Sequence, residues 1–200
     1  WNATTMWNTC TGTHNGLTIT RQMQFLNGAG TPQQRPDSTT TSMKARTTVT
    51  GTTVFTNATT NGPTITTIVN RNSDETVTGL AKSSTQRVVN GTASGTENST
   101  GTDARGAIAV DRTFADTTTN MTFASPPIPT APYPLSGTIT RNIASSYRVN
   151  DAPAKSYTAR EVHTFEAGGK LTVVTTMNGK TRTCVFQLGP TKSAPTCTQG

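Results

Sequence analysis

Threonine at alternate positions limits what this chain can fold into more than any other feature. Roughly one residue in four is threonine, and runs such as Leu17-Thr18-Ile19-Thr20 and Thr64-Ile65-Thr66 alternate apolar and hydroxyl side chains with period two. A β-branched side chain sits easily on a pleated strand and is crowded against the preceding turn of a helix. Successive strand residues point to opposite faces, so each run presents one hydroxyl face to water and one apolar face to a core. The expected fold is all-β and antiparallel, with eight to ten strands in a large curved sheet, sandwich or barrel-like, as a single domain over residues 1–200.

Only 31% of the residues are hydrophobic and 6% aromatic, so that core must be thin. Low apolar content with a high net charge would signal disorder, but just 14% of the residues are charged and the β-branched content is high. The net charge is +7, carried by bases that occur singly, as at Arg21, Arg46, Arg87, Arg112, Arg141 and Arg182. A nucleic-acid surface gathers its bases on one face with aromatic groups between them. This spacing instead reads as solubilising charge on strand faces and edges, compatible at most with weak contact to an anionic glycan or lipid surface. No segment reaches the ~20 apolar residues of a membrane-spanning helix. The chain opens at Trp1, and little Lys and Glu beside much Thr, Gly and Asn favours an exported, extracytoplasmic protein.

Cys10, Cys184 and Cys197 allow one disulfide and one free thiol. A Cys184–Cys197 staple would pin the carboxyl end, whereas a Cys10 bridge would tie the two ends together; the longer loop removes more unfolded-state entropy, which favours Cys10 as a partner. No CxxC or Cys/His cluster marks a zinc site, and no cofactor is expected.

The sharpest local signal lies at 170–188, where Lys170–Met177 and Lys180–Leu188 flank Asn178-Gly179, the type I′ turn pair of a tight hairpin. Further strands are expected around Leu17–Phe25, where Arg21 interrupts the inward row and implies a partly covered face, and around Met43–Val49, Ile65–Val69, Val77, Ile108–Phe114, Leu135–Ile143 and Tyr157–Phe165. Residues 70–74, Asn-Arg-Asn-Ser-Asp, read as a turn between Val69 and Val77. Asn90–Asp103, rich in Gly, Thr, Ser and Asn, reads as a long turn or a weakly specified strand pair. Residues 1–16 form an N-terminal segment in which His14 is a turn residue. Pro126, Pro127, Pro129, Pro132 and Pro134 make residues 125–134 an extended crossover strap.

Chemistry-bearing constellations are sparse. His163 has Glu161 and Glu166 close in sequence, but no Gly-x-Ser-x-Gly elbow accompanies it, so it reads as a strand histidine rather than part of a Ser-His-acid site. Asn70-x-Asn72-x-Asp74 spaces its oxygens like a calcium loop, yet lacks the sixth-position glycine and has Ala81 where the bidentate acid belongs. Asn2, Asn57, Asn90, Asn98 and Asn120 begin N-x-Ser/Thr triplets, a number expected by chance at this threonine content.

Residues 133–141 (Tyr-Pro-Leu-Ser-Gly-Thr-Ile-Thr-Arg), 87–92 (Arg-Val-Val-Asn-Gly-Thr) and 177–184 (Met-Asn-Gly-Lys-Thr-Arg-Thr-Cys) resemble uncharacterised threonine-rich exported proteins and lipoproteins of environmental bacteria. The resemblance implies an extracytoplasmic address and an all-β fold, and assigns no functional residue. The expected role is non-enzymatic: an envelope or extracellular structural subunit that meets other protein subunits, itself included, through strand edges and a terminal segment whose interface candidates are Trp1, Met6 and Trp7. The alternative is a sandwich or barrel that binds a lipid, glycan or other small ligand in a pocket lined by its sparse Phe, Tyr and Met residues.

Overall fold

A computed structural model of the chain describes residues 1–56, 64–103, 106–127, 133–189 and 194–200. They build one antiparallel sheet of twelve strands: β1 (Asn8–His14), β2 (Leu17–Asn27), β3 (Pro32–Gln33), β4 (Thr40–Thr56), β5 (Thr64–Thr78), β6 (Gln86–Asp103), β7 (Gly106–Ala124), β8 (Ser136–Val149), β9 (Lys155–Glu166), β10 (Lys170–Met177), β11 (Lys180–Gln187) and β12 (Thr196–Gln199). The hydrogen-bonded path runs β1-β2-β4-β5-β6-β7-β8-β9-β10-β11-β12, and the two-residue β3 pairs with β2. The all-β antiparallel expectation holds, with two more strands than anticipated, in a single layer that closes into neither a sandwich nor a barrel. A 3₁₀ turn at Ala167–Gly169 is the one helical element among the described residues.

The hairpin expected at Asn178-Gly179 forms as β10–β11, with Met177 opposite Lys180 and both turn residues at positive φ (48° and 81°). The same dipeptide at Asn15-Gly16 (φ 48° and 78°) turns β1 into β2, so half of the N-terminal segment is a strand and His14 is its last residue. One segment expected as a turn, and one expected as a long turn or a weakly specified strand pair, are strand interior. Residues 70–74 lie within β5, where Asn72 Oδ1 accepts a 3.1 Å hydrogen bond from Thr48 Oγ1 and Asp74 accepts one of 2.8 Å from Arg46 Nε. These cross-strand partners outweigh the low β propensity of Asn and Asp. Asn90–Asp103 lies within the eighteen-residue β6. The strap at 125–134 joins β7 to β8, which are neighbours in the sheet, so it is a hairpin connection and no crossover; its residues 128–132 lie outside the described residues.

Glycine is common in β6 because its neighbours need the room. Gly91, Gly95 and Gly101 face the same side as Glu75, Arg71 and Ile65 of β5, their register partners. A Cβ on Gly95 would lie 2.9 Å from both Arg71 Cγ and Phe114 Cε1. The strand is a shallow trough filled by side chains from either side, one of the uses of glycine within a sheet.

The ladder register sorts the whole sheet into two faces. One carries most of the large apolar side chains, in belts across the strands. The longest runs Phe25–Met43–Val77–Val89–Met121 through β2, β4, β5, β6 and β7, and Phe165–Leu171–Phe186 continues it through β9, β10 and β11. The opposite face is a hydroxyl face, with rows such as Thr18–Thr50–Asn70–Thr96–Thr113 and Thr20–Thr48–Asn72–Ser94. In β6 and β7 the apolar-belt face is half-buried residue after residue while the hydroxyl face is exposed. The core itself is very small. Ala45 (3% exposed), Val69 and Met121 (3%) are its buried hydrophobic residues, joined by buried Thr40, Thr122 and Ser145.

Candidate interaction surface

The belt face carries charge as well as apolar groups, in two clusters set between the belts. Arg71, Glu97 and Arg112 occupy β5, β6 and β7; Glu97 pairs with Arg71 and lies 3.5 Å from Arg112, and the Arg71 guanidinium sits 5.2 Å from the ring centre of Phe114. Asp116 of β7 accepts from Arg141 of β8 in a two-pronged pair, 3.0 Å to Nε and 2.9 Å to Nη2. That hydrogen bond raises the pKa of Arg141 above its ordinary value, against the opposing effect of burial, with Asp116 and Glu161 adding Coulombic support. The carboxylates are the more buried partners, at 17% exposed for Glu97 and 15% for Asp116. The arginines reach outward over them, as long basic side chains do at a partly covered surface. Parity along each strand puts Arg71 with Val69, Arg112 and Asp116 with Val110 and Phe114, and Arg141 with Ile139 and Ile143, but only the register between strands brings Glu97 beside Arg71 and Arg112 and Asp116 beside Arg141.

His163 lies on the same face of β9. Its Nε2 is 3.3 Å from Glu161 Oε2, the i−2 neighbour, while Glu166 pairs with Lys170 at 2.7 Å. Among the described residues no serine hydroxyl is hydrogen-bonded to His163. No group of three or more His, Cys, Asp or Glu among them could hold a metal ion, and no helix is long and apolar enough to cross a membrane.

Grooves lie on the hydroxyl face, where small side chains alternate with threonine. One, of about 580 Å³, is lined by Thr113, Ala115, Ala144, Thr158 and Arg160 together with Phe114 and Ile143. A second, of about 260 Å³, continues it past Asp111, Ser146 and Tyr157. Of the sparse Phe, Tyr and Met residues, Phe114 contributes to the first and Tyr157 to the second.

The interface candidates sit at the start of the sheet. Asn2 and Trp7 bridge a tight turn, with Asn2 Oδ1 accepting from the amides of Thr4 and Thr5 and Met6 at φ 59°. Trp7 is half-buried under the Arg46 guanidinium, 4.8 Å from its ring centre, whereas Trp1 and Met6 are 43% and 40% exposed. Cysteine pairing departs from the favoured expectation. β11 and β12 place Cys184 directly opposite Cys197, and these two form the disulfide while Cys10 is free and exposed on β1. Strand register, which brings two side chains face to face, decided the pairing, and loop entropy did not.

The two sheet edges differ. β12 is four residues long, follows Pro195 and is stapled to β11. β1 is seven residues long, contains no Lys, Arg, Asp, Glu or Pro, and beyond the Asn2–Trp7 bridge no described residue pairs with its outer side. Other apolar side chains stand in solvent within the sheet, among them Phe55 (64% exposed), Val54, Ile68 and Met177 (50%). No protein-family model, curated protein or solved structure matches this chain.

Proposed function

We propose that this chain is a non-enzymatic structural subunit of an exported, extracytoplasmic assembly, and that neighbouring protein chains cover its belt face and an edge strand. The observation that carries this reading is its surface. The chain exposes 12506 Å², against the roughly 9,000 Å² that the area–mass relation gives a compact monomer of its size. An excess of about 3,500 Å² exceeds what a standard protein–protein interface buries. Apolar belts on one face, with arginines between them, match the composition of a surface that awaits a partner more closely than that of a solvated one. The disulfide and the threonine-rich, lysine-poor composition support an oxidising, extracytoplasmic setting.

Hydroxyl-radical footprinting of the native protein tests the covering. Met177 and Phe55, both on the belt face, are among the most exposed apolar side chains of the isolated chain and carry reactive groups. In the native particle both are expected to label several-fold more slowly than after dilution or mild dissociation. Labelling at the isolated-chain rate in both states would refute the reading.

A further inference from the structure

We infer that β1 is a self-association seam, pairing antiparallel with β1 of a second copy of this chain about a two-fold axis near Thr11, so that two sheets become one. The inference rests on the assembly reading above and names its partner.

Three observations lead to it. First, the edges are guarded unequally. Short length and a neighbouring proline are devices by which sheets discourage unwanted pairing; β12 is four residues long and directly follows Pro195, whereas β1 is seven residues long and contains neither proline nor charge. Second, strand parity selects the geometry. The path from β1 to β12 contains eleven strands, each antiparallel to the next, so its two edges run in the same direction. A β1 to β12 contact, whether by closure or head to tail, would create a parallel pair in an otherwise antiparallel sheet. A two-fold joins β1 to itself antiparallel, the slightly more stable ladder, and leaves the guarded edge outside.

Third, the residues suit an isologous register. An axis at Thr11 places Thr9 opposite Thr13 of the partner subunit and Thr11 opposite its own copy, which extends across the seam the hydroxyl rows that already include a Thr11–Thr20 contact of 3.2 Å. On the belt face it places Cys10 opposite the partner's Gly12. Gly12 has nothing within 4 Å of where its Cβ would be, so the thiol is accommodated. No like charges meet, because Thr9 to Thr13 carry none. The exposed Trp1–Met6 turn at one end of β1 then lies near the partner's Asn15-Gly16 turn.

The test uses the full native chain with a short bismaleimide, read by denaturing electrophoresis, and the particle mass by light scattering. Across the proposed axis the two Cys10 residues are diagonal neighbours, ~7–8 Å apart. The reagent is expected to convert the wild type to covalent dimer. Thr11→Lys, an exposed edge substitution that sets an ammonium group opposite its own copy, is expected to weaken self-association about tenfold or more and to abolish the cross-link. A multimeric wild type whose Cys10 does not cross-link, or a Thr11→Lys variant of unchanged mass, would overturn the seam and leave the assembly reading standing. A monomeric wild type would overturn both. The wild-type cross-link stands as a test even if the variant misfolds.

Discussion

Adding a single methyl group at Gly95 is expected to cost the fold more than its size suggests. The backbone there is not in the left-handed region, so the effect comes from contact alone. The new Cβ would lie 2.5 Å from the Asn70 carbonyl oxygen and 2.9 Å from both Arg71 Cγ and Phe114 Cε1. Arg71 cannot simply swing aside, since it stacks on Phe114 and pairs with Glu97. Overpacking of this kind costs ~1–3 kcal/mol, and the loss of glycine's freedom in the unfolded chain returns about 0.4–1 kcal/mol. The net expectation for Gly95→Ala is a destabilisation of about 1–2 kcal/mol, or about 2–8 °C in Tm for a domain of this length. Gly28→Ala is the control. Its Cβ would meet only Thr41 Cγ2 at 3.7 Å, an ordinary contact, and the variant should match or slightly exceed the wild type. Urea unfolding of the three proteins side by side decides the matter. If Gly95→Ala is as stable as Gly28→Ala, the trough account of β6 is wrong.

Met121 is 3% exposed at the centre of the longest belt, so Met121→Ala should lower the unfolding free energy by about 2–5 kcal/mol in the same assay, toward the lower end because the surrounding single layer can relax. A double-mutant cycle on Asp116 and Arg141 should give a coupling of only about 0.5–1 kcal/mol despite the two-pronged geometry, because the Arg141 side chain is 41% exposed and screened by water. Cys184→Ser should raise the number of titratable thiols from one to two and lower stability by about 2–3 kcal/mol, as expected for opening a loop of 13 residues. Asp37 accepts from the Thr39 hydroxyl and amide at 2.7 Å, and these bonds hold its pKa below the ordinary 3.8. Its contribution is therefore present above that value and lost as the pH falls through the lowered folded pKa. An NMR titration should show the Thr39 amide shifting with a midpoint below 3.8; a midpoint above it would contradict the assignment.

Period-two alternation made the fold class and most strands readable from the sequence, and Asn178-Gly179 fixed one hairpin to the residue. The identical signal at Asn15-Gly16 was equally informative, but β1 beside it is so polar that it reads as a tail. Asn70–Asp74 reads as a turn, and Asn90–Asp103 as a long turn or a weakly specified strand pair, because Asn, Asp and Gly disfavour strands in isolation. Long neighbours override that preference by supplying Thr48 and Arg46 as partners on one side and by filling the glycine trough on the other. Whether the sheet closes, doubles or stays open could not be read locally, since alternation is the same whatever covers the inner face. The cysteine pairing depended on β11–β12 register, a long-range property that spacing does not encode. Of the candidate surface, Trp1, Met6 and Trp7 could be named from the sequence as interface candidates, and in the fold Trp1 and Met6 are exposed while Trp7 is half-buried; the Arg71–Glu97–Arg112 and Asp116–Arg141 lattice became visible only when the strands were set side by side.

The mass of the native particle in solution, measured by light scattering over a concentration series with and without reductant, tests the assembly account most directly. The account predicts a multiple of 21.1 kDa that persists in reductant, because the disulfide lies within one chain. A single species at the monomer mass at every concentration would contradict it.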